Sequence, residues 1–466
     1  MFADQCHVTV VTEDTLHSLT HHIDHVDHVD HLDKGWGMAA VAGISFFISL
    51  REGDTVCVTH CGDEEVVVNV ERLLNENNVE LKHPWRGTPT GVLTVRTKGP
   101  AFLPNSGSEA VIIHALWRGL EEMGHSVTLR WVGGMVLQVS SSPPPPGDVV
   151  YVSCANDKMD VVGLDDDDLA AIQAALVDSG VRVQKQFVEN AGAMQLKLVS
   201  YPFMRPEEQT HVLPVLLSAM GSIGCALESA AGSLCLAFRR GGDSPTSVAW
   251  SMVVGKDDLL HSSPGSDPSA LISALEDTGF VVKKRAKPHK LYKVDVVKFK
   301  GFPWSLKKSY GLGATALFSA LGGVPNAVWS GAGGTAVFLP TEDACPPQGD
   351  LLSITVAPDF VAFPDSTPGE VTSMVRDWLV SANFTPDAPL ATQSIKKCSA
   401  SARVLRFPDA PFGGVGLMGI VFFLAVRSQS VGWNLVGCAS DLERVSGVNN
   451  YYSSLFFTTP HTDGDL

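Results

Sequence analysis

Residues 133–154 read GGMVLQVSSSPPPPGDVVYVSC, and the pattern in them recurs along the chain. Two glycines make a tight turn and a short apolar strand follows. A proline-rich linker then ends in Gly147-Asp148, and a second β-rich run begins. Glycine supplies the positive φ that hairpin turns need, and Val, Tyr and Cys suit the pleated surface of a sheet.

The same order stands at Ala42-Gly43 with ISFFISL and Gly53-Asp54, and at Ala231-Gly232 with SLCLAF and Gly242-Asp243. It stands again at Gly333-Gly334 with TAVFLP and Gly349-Asp350. These four Gly-Asp pairs are 94, 95 and 107 residues apart. After each comes an amphipathic stretch, at 65–78, 167–180, 268–279 and 370–384, and in these Leu74, Leu176, Leu275 and Leu379 take equivalent places. A second series repeats with the same period. VLTVRTKGPAFLP, LKLVSYPFMRP, VDVVKFKGFPWS and RVLRFPDAPFGG each run from a strand into a Pro- and aromatic-containing bend, and a second helix follows. Two landmark series with one period mark an internal repeat.

The order within a repeat is β-α-β-β-α-β with one closing hairpin strand. Two split βαβ halves of this kind lay two helices on one face of an antiparallel sheet. The expected fold is therefore α+β, a tandem array of ferredoxin-like βαββαβ units. Four full units occupy 53–146, 147–241, 242–348 and 349–466, and residues 1–52 form an N-terminal half-unit of strand, helix and hairpin. The linkers are short and rich in Pro and Gly, so neighbouring units are expected to pack together.

Composition bounds the rest. The chain has 466 residues, 45% hydrophobic and 18% charged, which fits a globular protein of several domains. A net charge of -16 argues against a general coating of nucleic acid or anionic membrane, and says nothing of local patches. Nine cysteines are scattered singly, as in a reducing compartment. No basic region followed by an apolar core opens the sequence, so the expected location is cytoplasmic. The apolar stretch 410–426 sits at the short edge of a membrane span and falls in register with the second helices, so it is read as a buried helix.

Five local patterns invite chemistry. His21, His25 and His28 share a helix face at i, i+4 and i+7, interleaved with aspartates, in a geometry that suits Zn²⁺; the plainer reading is a solvated face. Cys57, His60 and Cys61 are the one compact Cys/His cluster, and they lack partners at zinc-site spacing. Asp165 to Asp168 stand where a helix begins and favour its positive end. Gly311, Gly313, Gly413, Gly414 and Gly416 precede second helices, without the lysine of a phosphate-binding loop.

The most informative stretch is basic. Lys283, Lys284, Arg285, Lys287, Lys290, Lys293, Lys298, Lys300, Lys307 and Lys308 fall within 26 positions, interleaved with Phe302, Trp304 and other aromatics. Positive charge holds phosphates and aromatic faces stack unpaired bases, so single-stranded RNA is one ligand this pattern suits. A lysine-rich edge strand, or a patch docking an acidic partner, is the other reading.

No nucleophile, metal-hydrolase or nucleotide-loop motif is present, and no small-molecule substrate or cofactor is indicated. The expectation is a non-catalytic structural or assembly protein. Its repeated units would serve as interaction surfaces for protein partners or for self-assembly, within a larger complex such as a ribonucleoprotein or a virus-like particle. RNA binding through the third unit is the first alternative, and an enzyme with its site between repeats the second.

Overall fold

A period of two decides the layers. In β1 (Ile44–Arg51), Phe46, Ile48 and Leu50 face one side of a sheet and Phe47 and Ser49 the other, and all five are buried. A strand buried on both faces needs a layer against each. The computed structural model supplies both layers. It describes residues 43–51, 54–59, 64–88, 90–101, 107–231, 235–241, 250–255, 259–262, 269–285, 294–301, 303–320, 328–330, 335–338, 350–395, 399–445 and 448–459. All of these belong to one compact body, Ala39–Leu466.

The first sheet is built from β1, β2 (Thr55–Thr59), β3 (Leu81–Gly87), β4 (Val92–Thr97), β5 (Ser126–Trp131) and β6 (Met135–Ser140). Helix α1 (Glu64–Glu76) follows β2, and α2 (Ser108–Glu122) follows β4. The strand order is β3-β4-β2-β1-β6-β5, with every pairing antiparallel. Val70 and Leu74 of α1, with Ile113, Leu116 and Trp117 of α2, close over Phe46, Ile48, Val56, Val58 and Leu137.

Three more sheets repeat that order. The second comprises β7 (Asp148–Ala155), β8 (Lys158–Val162), α3 (Asp166–Asp178), β9 (Val183–Asn190), β10 (Ala193–Leu198), α4 (Pro206–Ser222), β11 (Cys225–Ala231) and β12 (Cys235–Arg240). The third has β13 (Trp250–Gly255), β14 (Leu259–Ser262), α5 (Ser269–Asp277), β15 (Val282–Arg285) and β16 (Asp295–Phe299). It continues with α6 (Leu306–Ser309), α7 (Leu312–Ala320), β17 (Val328–Ser330) and β18 (Thr335–Phe338). The fourth has β19 (Leu351–Ala357), β20 (Phe360–Pro364), α8 (Gly369–Ser381), β21 (Ala391–Ser394), β22 (Ser401–Arg406), α9 (Gly416–Ser430), β23 (Asn434–Val445) and β24 (Val448–Thr458). The chain is thus mixed α+β, with four six-stranded antiparallel sheets and nine α-helices among the described residues. Leu74, Leu176, Leu275 and Leu379 all lie in the first helix of their unit, and each is fully buried.

Two expectations are corrected. Each unit holds six strands where the sequence suggested five, because β8, β14 and β20 are only four or five residues long and merge with the preceding run. Residues 44–51, assigned to an N-terminal half-unit ending at 52, belong to the first sheet, where β1 pairs with both β2 and β6. The cause is a slip of one strand. Asp54 lies in the turn of the β1–β2 hairpin, where Arg51 faces Thr55. The counterpart of that turn in the second unit is Asn156-Asp157, with Asn156 at φ 56°, and not Gly147-Asp148. The rest of that half-unit, residues 1–42, lies outside the described residues.

The second face of each sheet is covered by the preceding unit. Helix α2 rests on β7, β8 and β10, and α4 rests on β13 and β14. The third unit seats α7 against the fourth sheet, where Phe318 stacks on Phe456 at 4.7 Å. The last helix, α9, returns to β1, β2 and β4 of the first sheet. There Phe422 meets Phe47 edge-on at 5.3 Å, and Gln429 Oε1 accepts from Ile44 N at 2.9 Å. The edge strands β5, β11, β17 and β23 also touch in a cycle, each meeting the next and β23 meeting β5. Leu129 N donates to Ser229 Oγ at 3.1 Å, and Ser440 Oγ donates to Trp131 O at 2.7 Å. Four units therefore close on themselves.

Sandwiching explains the apolar stretch at 410–426. Helix α9 packs between two sheets, so it is buried nearly all round. Among the described residues no helix is long and apolar enough to cross a membrane.

Candidate functional site

Charge is sorted by hairpin. The segments that carry the third and fourth strands of each unit, 79–98, 181–199, 281–300 and 385–407, hold 19 of the 34 lysines and arginines but four of the 50 acids. They carry a net +15 within a chain of net -16. The strand order puts β3, β9, β15 and β21 at the sheet edges opposite those that meet in the cycle. These edges are largely exposed in the first, second and fourth units.

Strand register groups the charges into rows. Lys82 pairs with Arg96, and Arg96 with Thr55. One unit on, Lys185 pairs with Lys197, and Lys197 with Lys158. In the third unit Lys284 and Leu259 flank Lys298. In three units a base on the fourth strand faces an acid in the turn before the second strand. Arg96 lies 4.0 Å from Asp54, Lys197 3.5 Å from Asp157 and Arg406 3.4 Å from Asp359.

On the first sheet the row opens into a cleft of about 500 Å³. Its wall carries Lys82, His83, Arg86 and Arg96, with the hydroxyls of Thr55, Thr88 and Thr94, and Val415 lies at the end nearest α9. Helix α9 covers β1, β2 and part of β4, and among the described residues it makes no comparable contact with β3. Arg96 and His83 have acids nearby, at Asp54 and, 3.6 Å away, at Glu71. Among the described residues no carboxylate lies within ion-pair distance of the exposed Lys82 or Arg86. Uncompensated cations at the mouth of a concave surface focus a positive potential.

The residues singled out from the sequence are placed as follows. Lys283, Lys284 and Arg285 lie on the edge strand β15, and Lys298 on β16 beside it. Lys300 follows β16, and Lys307 and Lys308 close the short α6. Lys283, Lys300, Lys307 and Lys308 are exposed. Trp304 is not a stacking platform: it is buried in the core, edge-on to Phe299 at 5.8 Å. Lys287, Lys290, Lys293 and Phe302 lie outside the described residues, as do His21, His25 and His28, the zinc candidates. Cys57 is fully buried on β2; His60 and Cys61 are outside the described residues. Among the described residues no group of His, Cys, Asp and Glu is arranged to hold a metal ion. Asp165 caps α3 by accepting from Asp168 N at 3.0 Å, and Asp168 pairs with Arg240 at 2.7 Å.

The first seam also holds titratable groups that sequence reading did not single out. Glu109, near the start of α2, has its carboxyl pushed up to about 7 by burial and by the nearby Asp160. Asp160 is itself raised by burial, and it accepts from Gln195 Nε2 at 2.7 Å. Burial pushes the Cys235 thiol up to about 11, which keeps it neutral and a poor nucleophile. Burial also lowers His114, whose Nε2 donates to Val149 O at 2.9 Å.

Comparison with protein-family models, with curated proteins and with solved structures finds no match to this chain.

The basic rows outside the third unit were missed because each is thin in sequence, with one or two charges per strand. The signal was present in spacing: Arg96, Lys197 and Lys298 stand 101 residues apart.

Proposed function

We propose that the protein is a non-catalytic assembly scaffold, a closed cycle of four α+β units that presents its outer hairpins to partners in a larger complex. The cyclic seating of helices carries this reading. Each unit gives its second helix to the next sheet, so turning one unit against its neighbours means breaking two interfaces at once. The inner edges meet one another, and a neighbouring unit's helix packs on the second face of each sheet. The outer hairpins are what repeats and remains free. Lysine on such edges also discourages stray strand pairing, which suits a protein held at high local concentration in an assembly.

On the same reading each unit is a ferredoxin-like element with two added strands. β2, α1, β3, β4, α2 and β5 follow the βαββαβ order, while β1 and β6 lie between β2 and β5.

Cross-linking mass spectrometry on the complex recovered from its source tests the scaffold. Lysines of the outer hairpins, Lys82, Lys185, Lys283 and Lys300, should cross-link to a second macromolecule. Recovery of the chain alone, with internal cross-links only, would overturn the reading.

A further inference from the structure

We propose that the cleft of the first sheet binds the phosphodiester backbone of a single-stranded nucleic acid. The inference rests on reading the outer hairpins as the partner-facing surface, and it names the ligand.

Three observations carry it. The cleft is lined by Lys82, His83, Arg86 and Arg96, whose N–H groups form a donor set that matches phosphate oxygens. Lys82 and Arg86 have no carboxylate at ion-pair distance among the described residues, so an anion would meet them uncompensated. The row is also not unique: Lys158, Lys185 and Lys197 stand in the same register one unit on. A ligand with one phosphate uses one row, whereas a polymer with regularly spaced charge gains from several.

Size and chemistry narrow the polymer. A volume of about 500 Å³ falls within the range of small-ligand sites and admits a nucleotide or two, not a duplex. Among the described residues no Phe, Tyr or Trp lines it, and Trp304 is in the core. Recognition therefore runs through the backbone, with little sequence preference and strong dependence on salt.

The test uses the full chain and fluorescein-labelled 20-mers of uridylate and deoxythymidylate, followed by anisotropy between 50 and 200 mM salt. The wild type should bind with an affinity that falls steeply with salt. K82Q/R86Q should bind at least tenfold more weakly at 50 mM and flatten the log–log salt slope by about 1.4, taking about 0.7 per phosphate contact on a single strand. R72Q/R118Q, the same charge change on exposed arginines of α1 and α2, should stay within twofold of wild type.

Salt-insensitive binding, or equal affinity for wild type and K82Q/R86Q, would overturn the proposal. So would uridine monophosphate competing as well as the 20-mer at equal phosphate concentration, which would make the cleft a mononucleotide site. Tighter binding of polyglutamate than of either 20-mer would make it a protein-docking surface and would also overturn it. Cross-links to a protein partner without nucleic-acid binding would remove this inference and leave the scaffold standing.

Discussion

Lys197 Nζ lies 3.5 Å from Asp157 Oδ2, and the residue after each base donates its backbone N–H to the acid's carbonyl. Leu198 N reaches Asp157 O at 2.7 Å, Thr97 N reaches Asp54 O at 2.7 Å and Phe407 N reaches Asp359 O at 2.9 Å. Three units thus tie the turn before the second strand to the end of the fourth strand in the same way. The backbone bond fixes the register, while the ion pair, partly exposed on both sides, adds little. Asp157→Ala should cost less than about 1 kcal/mol in urea unfolding. A loss above about 2 kcal/mol would show that the side chain, rather than the main chain, sets the turn.

The seam between the first and second units holds a stronger cluster of three charges. Arg239 reaches Glu121 of α2 at 2.6 and 3.0 Å, Glu228 at 3.0 Å and Gly147 O at 3.0 Å. Its side chain is 7% exposed, so removing it strands two carboxylates away from water. Arg239→Ala should destabilise by about 3–5 kcal/mol. Replacing Arg239, Glu121 and Glu228 together with Met, Leu and Leu should recover most of that loss. If the triple variant is as weak as the single one, the cost lies in packing and not in unpaired charge.

Glu109 makes the same seam sensitive to pH. Its folded pKa of about 7 lies above the ordinary value of 4.5, so the native state holds its proton longer than the unfolded chain does. Its contribution to stability is present below about pH 4.5 and is lost as pH rises towards 7 and beyond. The two values bound that loss at about 3 kcal/mol, and the partial exposure of the carboxyl makes it less. Glu109→Gln should match the wild type near pH 4.5 and exceed it at pH 8. Denaturation midpoints that run parallel across this range would show that Glu109 titrates normally.

Much of the layer pattern was readable before the structure. The alternation in DVVYVSC turns Val150, Val152 and Cys154 to the core of their own unit and Val149 and Tyr151 to α2, and the repeated leucines mark the first helices. What could not be read was phase and closure. A Gly-Asp pair marks a turn without saying which turn, so Gly53 was matched to Gly147 instead of Asn156. Closure rests on contacts such as Phe47 with Phe422, which are 375 positions apart and share no local pattern. The cleft was illegible for a related reason: it exists only where α9 stops short of β3.

That closing seam differs from the other three because no linker spans it. Between the first and second units, the second and third, and the third and fourth, the chain itself keeps the partners near. Between the fourth and the first, side chains alone do so. Gly419 permits the approach: a Cβ there would stand 2.3 Å from Thr90 O, a backbone atom that cannot rotate away. Alanine is better than glycine within a helix by about 1 kcal/mol. Overlap with a fixed carbonyl costs about 1–3 kcal/mol, so the steric term should win. Gly419→Ala should loosen the seam selectively. Hydrogen exchange should rise in residues 44–51 and 416–430 and stay unchanged where α2 meets β7. Uniform acceleration throughout the chain would mean that the four units open together and that the closing seam is no weaker than the rest.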